Sequence, residues 1–342
     1  MKKVLLTGVS GFLGSHIAFQ LLNKGYHVIG TLRDLKRAES IKVALSPFTE
    51  HLANLEFREA DLLDSGVWDS LCQGMDFVQH IASPFPRLLP KKESDLIRPA
   101  VEGTMNVLQA AHRAGVKRTV LTSSIGSIMY GKTSQTTKAL YTEEDWSDIT
   151  VSADITPYFK SKTLAEKAAW DFVNQAEVMM ELSVICPGAI LGPVLEKDFG
   201  TSANIVIKNM DGSTPALPGM GYDIVDVRSV AELHILAMEL PEAAGQRFIG
   251  SAGFESFKDV ADILRPHYPK HPIPSRILPG FLVNLFSLID PTVKPILIDL
   301  GKERRVSHAK AEKLLGWKPK SPEEAVLSCA ESLIRVGLIK KK

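Results

Sequence analysis

Cysteine is scarce in this chain of 342 residues: Cys72, Cys186 and Cys329 are odd in number and far apart. That excludes a disulfide framework and a cysteine-built zinc site, and a reducing cytoplasm is the expected setting. Net charge is almost absent, +1 from 40 Lys and Arg against 39 Asp and Glu. No electrostatic case exists for nucleic acid or an anionic membrane as partner. Long apolar runs are missing too; the most lipid-like stretch, Phe281 to Ile289, contains Asn284 and is too short to span a bilayer. Met1-Lys2-Lys3 leads straight into an apolar run, so no signal peptide is expected. His80, His112 and His234 stand on separate elements without ligand spacing, so structural roles are expected and no metal is. No Ser-His-Asp arrangement or carboxylate pair stands out, and Glu143-Glu144-Asp145 is expected to form a solvated face. What remains, 45% apolar and 23% charged residues, suits one large globular domain or two modest ones.

One stretch near the N-terminus organises the rest. The apolar run Val4 to Leu6 predicts a buried strand, and Ile17, Ala18, Leu21 and Leu22 follow at helical spacing. Between them Gly8, Gly11 and Gly14 are spaced G-x-x-G-x-x-G. Gly8 permits a tight turn, Gly11 lets backbone approach a pyrophosphate, and Gly14 lets helix pack on strand. The helix N-terminus supplies free amides and a positive dipole end, so a dinucleotide is expected here.

Further strands are expected at Val28 to Leu32, Leu55 to Ala60, Phe77 to Ile81, Arg118 to Leu121 and Leu182 to Cys186. Helices alternate with them, including Glu102 to Ala114 and Tyr158 to about Glu177. This alternation predicts an α/β fold, a Rossmann-type doubly wound parallel sheet, with a smaller, mostly helical C-terminal substrate subdomain. Residues 1–188, with a return segment at about 222–240, are expected to bind the cofactor; 189–221 and 241–342 are expected to bind substrate. Ligands of such sheets lie at the carboxyl ends of the strands. The strand ends Arg33, Asp61-Leu62, Ala82-Ser83 and Thr122-Ser123-Ser124 should therefore share one crevice. An acidic residue at the second strand end would favour NAD; here Leu32 is followed by Arg33, with Lys36 and Arg37 a turn on, which favours NADP(H).

Reducing a carbonyl needs a donor to its oxygen, a proton and a positioned hydride. Tyr158 and Lys162 share one helical face, and of the six tyrosines only Tyr158 has lysine four residues on. Lys162 would lower the tyrosine pKa and hold the nicotinamide ribose, and Ser124 would polarise the oxygen. Ser123 competes with Ser124, which is preferred as the later residue. Ser123 and Thr122 are expected to contact cofactor or to satisfy backbone groups.

These residues resemble the extended short-chain dehydrogenase/reductases, in the NAD-dependent epimerase/dehydratase family. Within them the chain is similar to the dihydroflavonol reductase-like branch, which includes cinnamoyl-CoA reductases and yeast-type methylglyoxal or aldehyde reductases. The matching segments are Thr7 to His16, Arg33-Asp34, Glu102-Gly103-Thr104, Val120 to Ser124, Tyr158 to Trp170, Cys186 to Pro193 and Val225 to Arg228. The resemblance implies that Ser124, Tyr158 and Lys162 are catalytic. It implies cofactor contacts from Gly8, Ser10, Gly11, Phe12, Leu13 and Gly14 in the turn, and 2′-phosphate contacts from Arg33 and Arg37. Asp61 and Leu62 would flank adenine, Pro187, Gly188 and Ala189 would touch nicotinamide, and Ser202 would be a late contact. The asparagine usual after the catalytic serine of plant flavonoid reductases is absent from Gly126-Ser127-Ile128-Met129, as is the plant cinnamoyl-CoA signature. A general aldehyde or ketone is therefore the expected substrate, in a monomer or homodimer. A nucleotide-sugar epimerase with retained NAD and a non-catalytic NADP(H) sensor are the alternatives.

Overall fold

The computed structural model describes residues 1–84, 92–197, 200–289 and 291–341. Its strands are β1 Lys3–Thr7, β2 His27–Leu32, β3 Leu55–Glu59, β4 Phe77–His80, β5 Arg118–Thr122, β6 Glu181–Pro187, β7 Ala189–Leu191, β8 Leu217–Pro218, β9 Gly221–Asp226, β10 Gln246–Gly250, β11 Gly253–Ser256 and β12 Ile277–Leu278. The α-helices are α1 Phe12–Asn23, α2 Ala38–Leu45, α3 Ser65–Cys72, α4 Ser94–Arg113, α5 Pro157–Val173, α6 Asn204–Met210, α7 Val227–Glu239, α8 Phe257–His267, α9 Gly280–Ile289, α10 Ala309–Leu315 and α11 Pro322–Arg335.

Seven strands form one parallel sheet in the order β10-β6-β5-β4-β1-β2-β3. Val4, Leu5 and Leu6 are fully buried because helices cover both faces of the sheet. Leu6 and Val4 join Ile17, Leu21 and Leu22 of α1 and Val230 and Leu233 of α7 on one side. Leu5 joins Val107 and Leu108 of α4 and Ala169 and Phe172 of α5 on the other. This is the expected Rossmann-type fold. The strand order reverses between β1 and β4, which places the ligand crevice outside their carboxyl ends.

Two small sheets, β11-β9-β7 and β12-β8, stand apart from the main sheet, and all their strands but β9 lie on the substrate side of the expected division. The expected boundaries need two corrections. β10 falls inside the 241–342 span, yet it is the edge strand of the main sheet, in parallel register with β6 from Gln246↔Ser183 to Gly250↔Pro187. β9 falls inside the return segment, yet it pairs with β7 and β11. Local pattern does not reveal strand partners, which are long-range choices. α4 also begins at Ser94, earlier than expected, and carries Pro99 within it.

Candidate active site

The glycine turn is built as its spacing implies. Gly8 has φ +71°, and a Cβ there would meet the backbone of Ala82 at 3.1 Å. A Cβ on Gly14 would stand 2.1 Å from the Gly8 carbonyl oxygen, so only glycine lets α1 lie this close to the turn. Gly11 is the N-cap of α1 and no side chain caps it, leaving first-turn amides for a ligand. These features fit a bound dinucleotide. Leu13 is buried in the core, while Phe12 is half-buried, packing against the core with Gly200 close to its ring. Ser10 is partly exposed beside them.

The strand ends gather along the same edge. The Thr7 hydroxyl accepts from the amides of Ile81 and Ala82 at 3.0 Å each, fixing Ala82 and partly exposed Ser83 beside the glycine turn. Arg33 is exposed at the end of β2. Arg37 donates to Glu196 at 2.6 Å, so this cation already has a carboxylate partner across the crevice. Asp61 accepts from the Leu63 amide at 2.8 Å, and the Leu62 carbonyl accepts from Asn106 at 2.8 Å, which fixes the loop after β3. Gly188 donates its amide to Gly250 at 3.0 Å, and a Cβ on it would meet the Asp223 carbonyl oxygen at 2.3 Å. Pro187 and Ala189 flank it in β6 and β7, while Ser202 sits partly exposed in a short 3-10 turn.

Thr156 caps α5, its hydroxyl accepting from the Phe159 amide at 3.3 Å, and Pro157 occupies the first helical turn. This start aims Tyr158 and Lys162 at the end of β5. Tyr158 and Ser124 share a hydrogen bond, and the Gly126 amide donates to the Ser124 hydroxyl at 3.0 Å. Lys162 donates to the Thr122 carbonyl at 3.2 Å. The structure thus joins Ser124 to Tyr158 and sets Lys162 against the adjoining strand end.

Burial dominates the electrostatics of both side chains. Burial pushes the Tyr158 phenol up to about 12, with the Ser124 hydrogen bond pulling the other way. Burial also pulls Lys162 down to about 8, opposed by the nearby Glu166 and Cys186. At neutral pH the phenol holds its proton and the lysine is mostly charged.

Several side chains differ from their sequence-based roles. Thr122 turns its hydroxyl to His234 at 3.1 Å. Ser123 neither faces the crevice nor satisfies backbone through its side chain; its hydroxyl donates to Glu166 at 2.5 Å. Glu143, expected in solvent, is buried and accepts from the Ile249 amide at 2.9 Å. The structural reading of His80 and His234 agrees with their positions. Both are fully buried, and burial holds each near pKa 3; Lys162 adds to the effect at His80. His80 meets the Thr7 hydroxyl at 2.9 Å. Sequence reasoning missed Glu166 and Arg247, paired at 2.5 Å behind the site. The available signal was Glu166 lying four residues after Lys162, a third polar residue on the Tyr158–Lys162 stripe.

Residues 4–249 match the model of the NAD dependent epimerase/dehydratase family. The chain belongs to that family. A cinnamoyl-CoA reductase of Medicago truncatula is 34% identical over 277 residues, covering 80% of this chain and 83% of that protein. The solved structure of Gre2 from Candida albicans in complex with NADPH superposes with TM-score 0.80 at 30% identity, covering 98% of this chain and 100% of that one. Yeast methylglyoxal/isovaleraldehyde reductase Gre2, complexed with NADPH, gives TM-score 0.79 at 28% identity and covers 97% and 98%. The extended short-chain reductase resemblance is therefore correct. Among the described residues no helix is long and apolar enough to cross a membrane.

Proposed function

We propose that this NADP-dependent oxidoreductase reduces an aldehyde or ketone to the alcohol, with Ser124, Tyr158 and Lys162 as its catalytic residues. The observation that carries the reading is the Ser124–Tyr158 hydrogen bond at the strand edge that also bears the glycine turn. NADPH, when bound, supplies the hydride. The other steps belong to this chain. Tyr158 and Ser124 are hydrogen-bonded to each other, and a carbonyl oxygen reaching this pair would accept from both hydroxyls. A phenol near 12 is fully protonated at neutral pH, the state required to donate a proton to the nascent alkoxide. The tyrosinate so formed would be stabilised by the Lys162 ammonium, which would also hold the ribose hydroxyls. Ser124 would steady the oxygen, as Gly126 already orients it. Arg33 would read the 2′-phosphate, with Arg37 joining once it exchanges Glu196 for phosphate. The small sheets around β7 and β9 and the helices after β11 would wall the substrate.

The likeness to reductases of methylglyoxal and cinnamoyl-CoA supports a carbonyl substrate and leaves small 2-oxoaldehydes, aromatic aldehydes, β-ketoesters and a dihydroflavonol as the panel to assay. Cofactor absorbance followed with NADPH and NADH in parallel is expected to show turnover with NADPH well above NADH. Tyr158→Phe is expected to bind NADPH normally and lose about 100- to 10,000-fold in kcat. Near-normal turnover in that variant would remove Tyr158 from the chemistry. A protein purified with tightly held NAD and no net turnover would point instead to an epimerase.

A further inference from the structure

Directly behind the proposed catalytic residues lies a buried, fully engaged ionic network. The Glu166 side chain has no exposure and that of Arg247 very little. One carboxylate oxygen accepts from Arg247 Nε at 2.5 Å and Trp170 Nε1 at 3.3 Å. The other accepts from Ser123 at 2.5 Å, Ser127 at 2.7 Å and Arg247 Nη2 at 3.3 Å. Arg247 also donates to the carbonyls of Glu143 and Asp145 at 2.8 and 3.1 Å and lies over the Trp146 ring. A buried ion pair is a costly way to hold a fold together, and an apolar pair of similar volume often does as well. This one has a specific geometry. Ser123 and Ser127 bracket Ser124, and both hydroxyls converge on the same oxygen of Glu166. The Ser127 amide additionally donates to the Ser124 carbonyl at 2.9 Å, and that carbonyl, 2.8 Å from the Ser127 hydroxyl oxygen, is the alternative acceptor for its single proton. Glu166 is also one helical turn from Lys162.

We propose that Glu166, clamped by Arg247, is a positioning residue for the reaction: it sets the Ser123–Ser127 turn that carries Ser124 and places a fixed negative charge behind Lys162. The inference rests on the proposed reductase reading. The charged and titratable groups around Lys162 are Tyr158 and Glu166 on its own helix, His80 at the end of β4, Cys186 in β6 and, behind Glu166, Arg247 in β10. Burial holds His80 near 3 and pushes Cys186 to about 12, so neither titrates where Lys162 does, near 8. The alkaline limb of the pH profile therefore reports on Lys162. Glu166→Gln removes the negative charge and leaves Arg247 uncompensated, which disfavours the ammonium.

The test compares pH profiles of kcat/KM and of NADPH affinity for the wild type, Glu166→Gln, Glu166→Asp and the Ser123→Ala/Ser127→Ala double variant. Glu166→Gln should move the alkaline midpoint down by about one pH unit. Glu166→Asp retains charge but cannot span to both hydroxyls, and the double variant retains charge without them. Both should lose about ten- to a hundredfold in kcat with the midpoint unmoved and KM for NADPH little changed. A Glu166→Gln midpoint equal to the wild type overturns the electrostatic half. Wild-type kcat in the other two overturns the positioning half, and they decide the matter should Glu166→Gln fail to fold: an acid-shifted midpoint in Glu166→Asp also counts against the charge role. If the wild type reduces no carbonyl, the reductase reading falls, and the NADPH-affinity profiles still show whether Glu166 governs Lys162.

Discussion

Two alanine substitutions in one turn should separate packing from ligand contact. At Gly14 a Cβ would lie 2.1 Å from the Gly8 carbonyl oxygen, 2.9 Å from its carbon and 3.1 Å from Val9 Cα. Relief needs roughly 1 Å of extra separation, and all three atoms are backbone that cannot rotate away. The Gly8 carbonyl is also the acceptor of the Gly11 amide at 3.0 Å, so yielding there opens the turn itself. Overpacking of this kind costs about 1–3 kcal/mol. At about 2.1 cal/mol/K per residue, a chain of 342 residues would lose about 1–4 °C in Tm. At Gly11 a Cβ meets only the Gly8 oxygen, at 3.3 Å, and its φ of −79° is open to any residue. Gly11→Ala should therefore lose less Tm than Gly14→Ala, because the neighbour has only a few tenths of an ångström to give. If pyrophosphate passes over Gly11, the methyl blocks it and NADPH affinity falls at least tenfold, about 1.4 kcal/mol. Gly14→Ala should lose both stability and affinity. Thermal scans with and without NADPH, with fluorescence titration, read both quantities. A Gly14→Ala protein with wild-type Tm would refute the packing argument. Wild-type affinity in Gly11→Ala would refute the placement of the pyrophosphate.

Arg33→Ser should raise the KM for NADPH about tenfold or more and leave that for NADH nearly unchanged; equal effects on both would show that Arg33 does not read the 2′-phosphate. Stability should fall from pH 7 to pH 5. His16, His80 and His234 have folded pKa values depressed by burial to about 4, 3 and 3, so only the unfolded chain takes up their protons below 6.5. Each then costs about 2 kcal/mol at pH 5. Burial raises Asp223 and Asp299 to about 6, which acts in the opposite sense because the folded state binds their protons first. Those two return about 1.3 kcal/mol each, leaving a net loss of about 3 kcal/mol and about 4 °C in Tm. A flat or rising Tm over that range would contradict the neutral burial of the histidines.

Local chemistry made the frame of this protein legible in its sequence. Gly8, Gly11 and Gly14 between a strand and a helix announce a turn that needs glycine at its first and last positions, and backbone sterics act over a few residues. Tyr158 and Lys162 share a face because a helix has a fixed period, and Pro157 is a residue suited to the first turn of that helix. Alternating strands and helices with right-handed crossovers leave little choice but a parallel sheet. Only the tertiary structure decided which strands pair, bringing β10 beside β6 and moving β9 into a separate small sheet. It alone joined Glu166 to Arg247 across 81 residues, buried Glu143 under the Ile249 amide and turned Ser123 away from the crevice. It also set the protonation of Tyr158 and Lys162, which depends on how much water the fold removes from each. Burial and charge pairing are sums over neighbours distant in sequence, so no local window contains them.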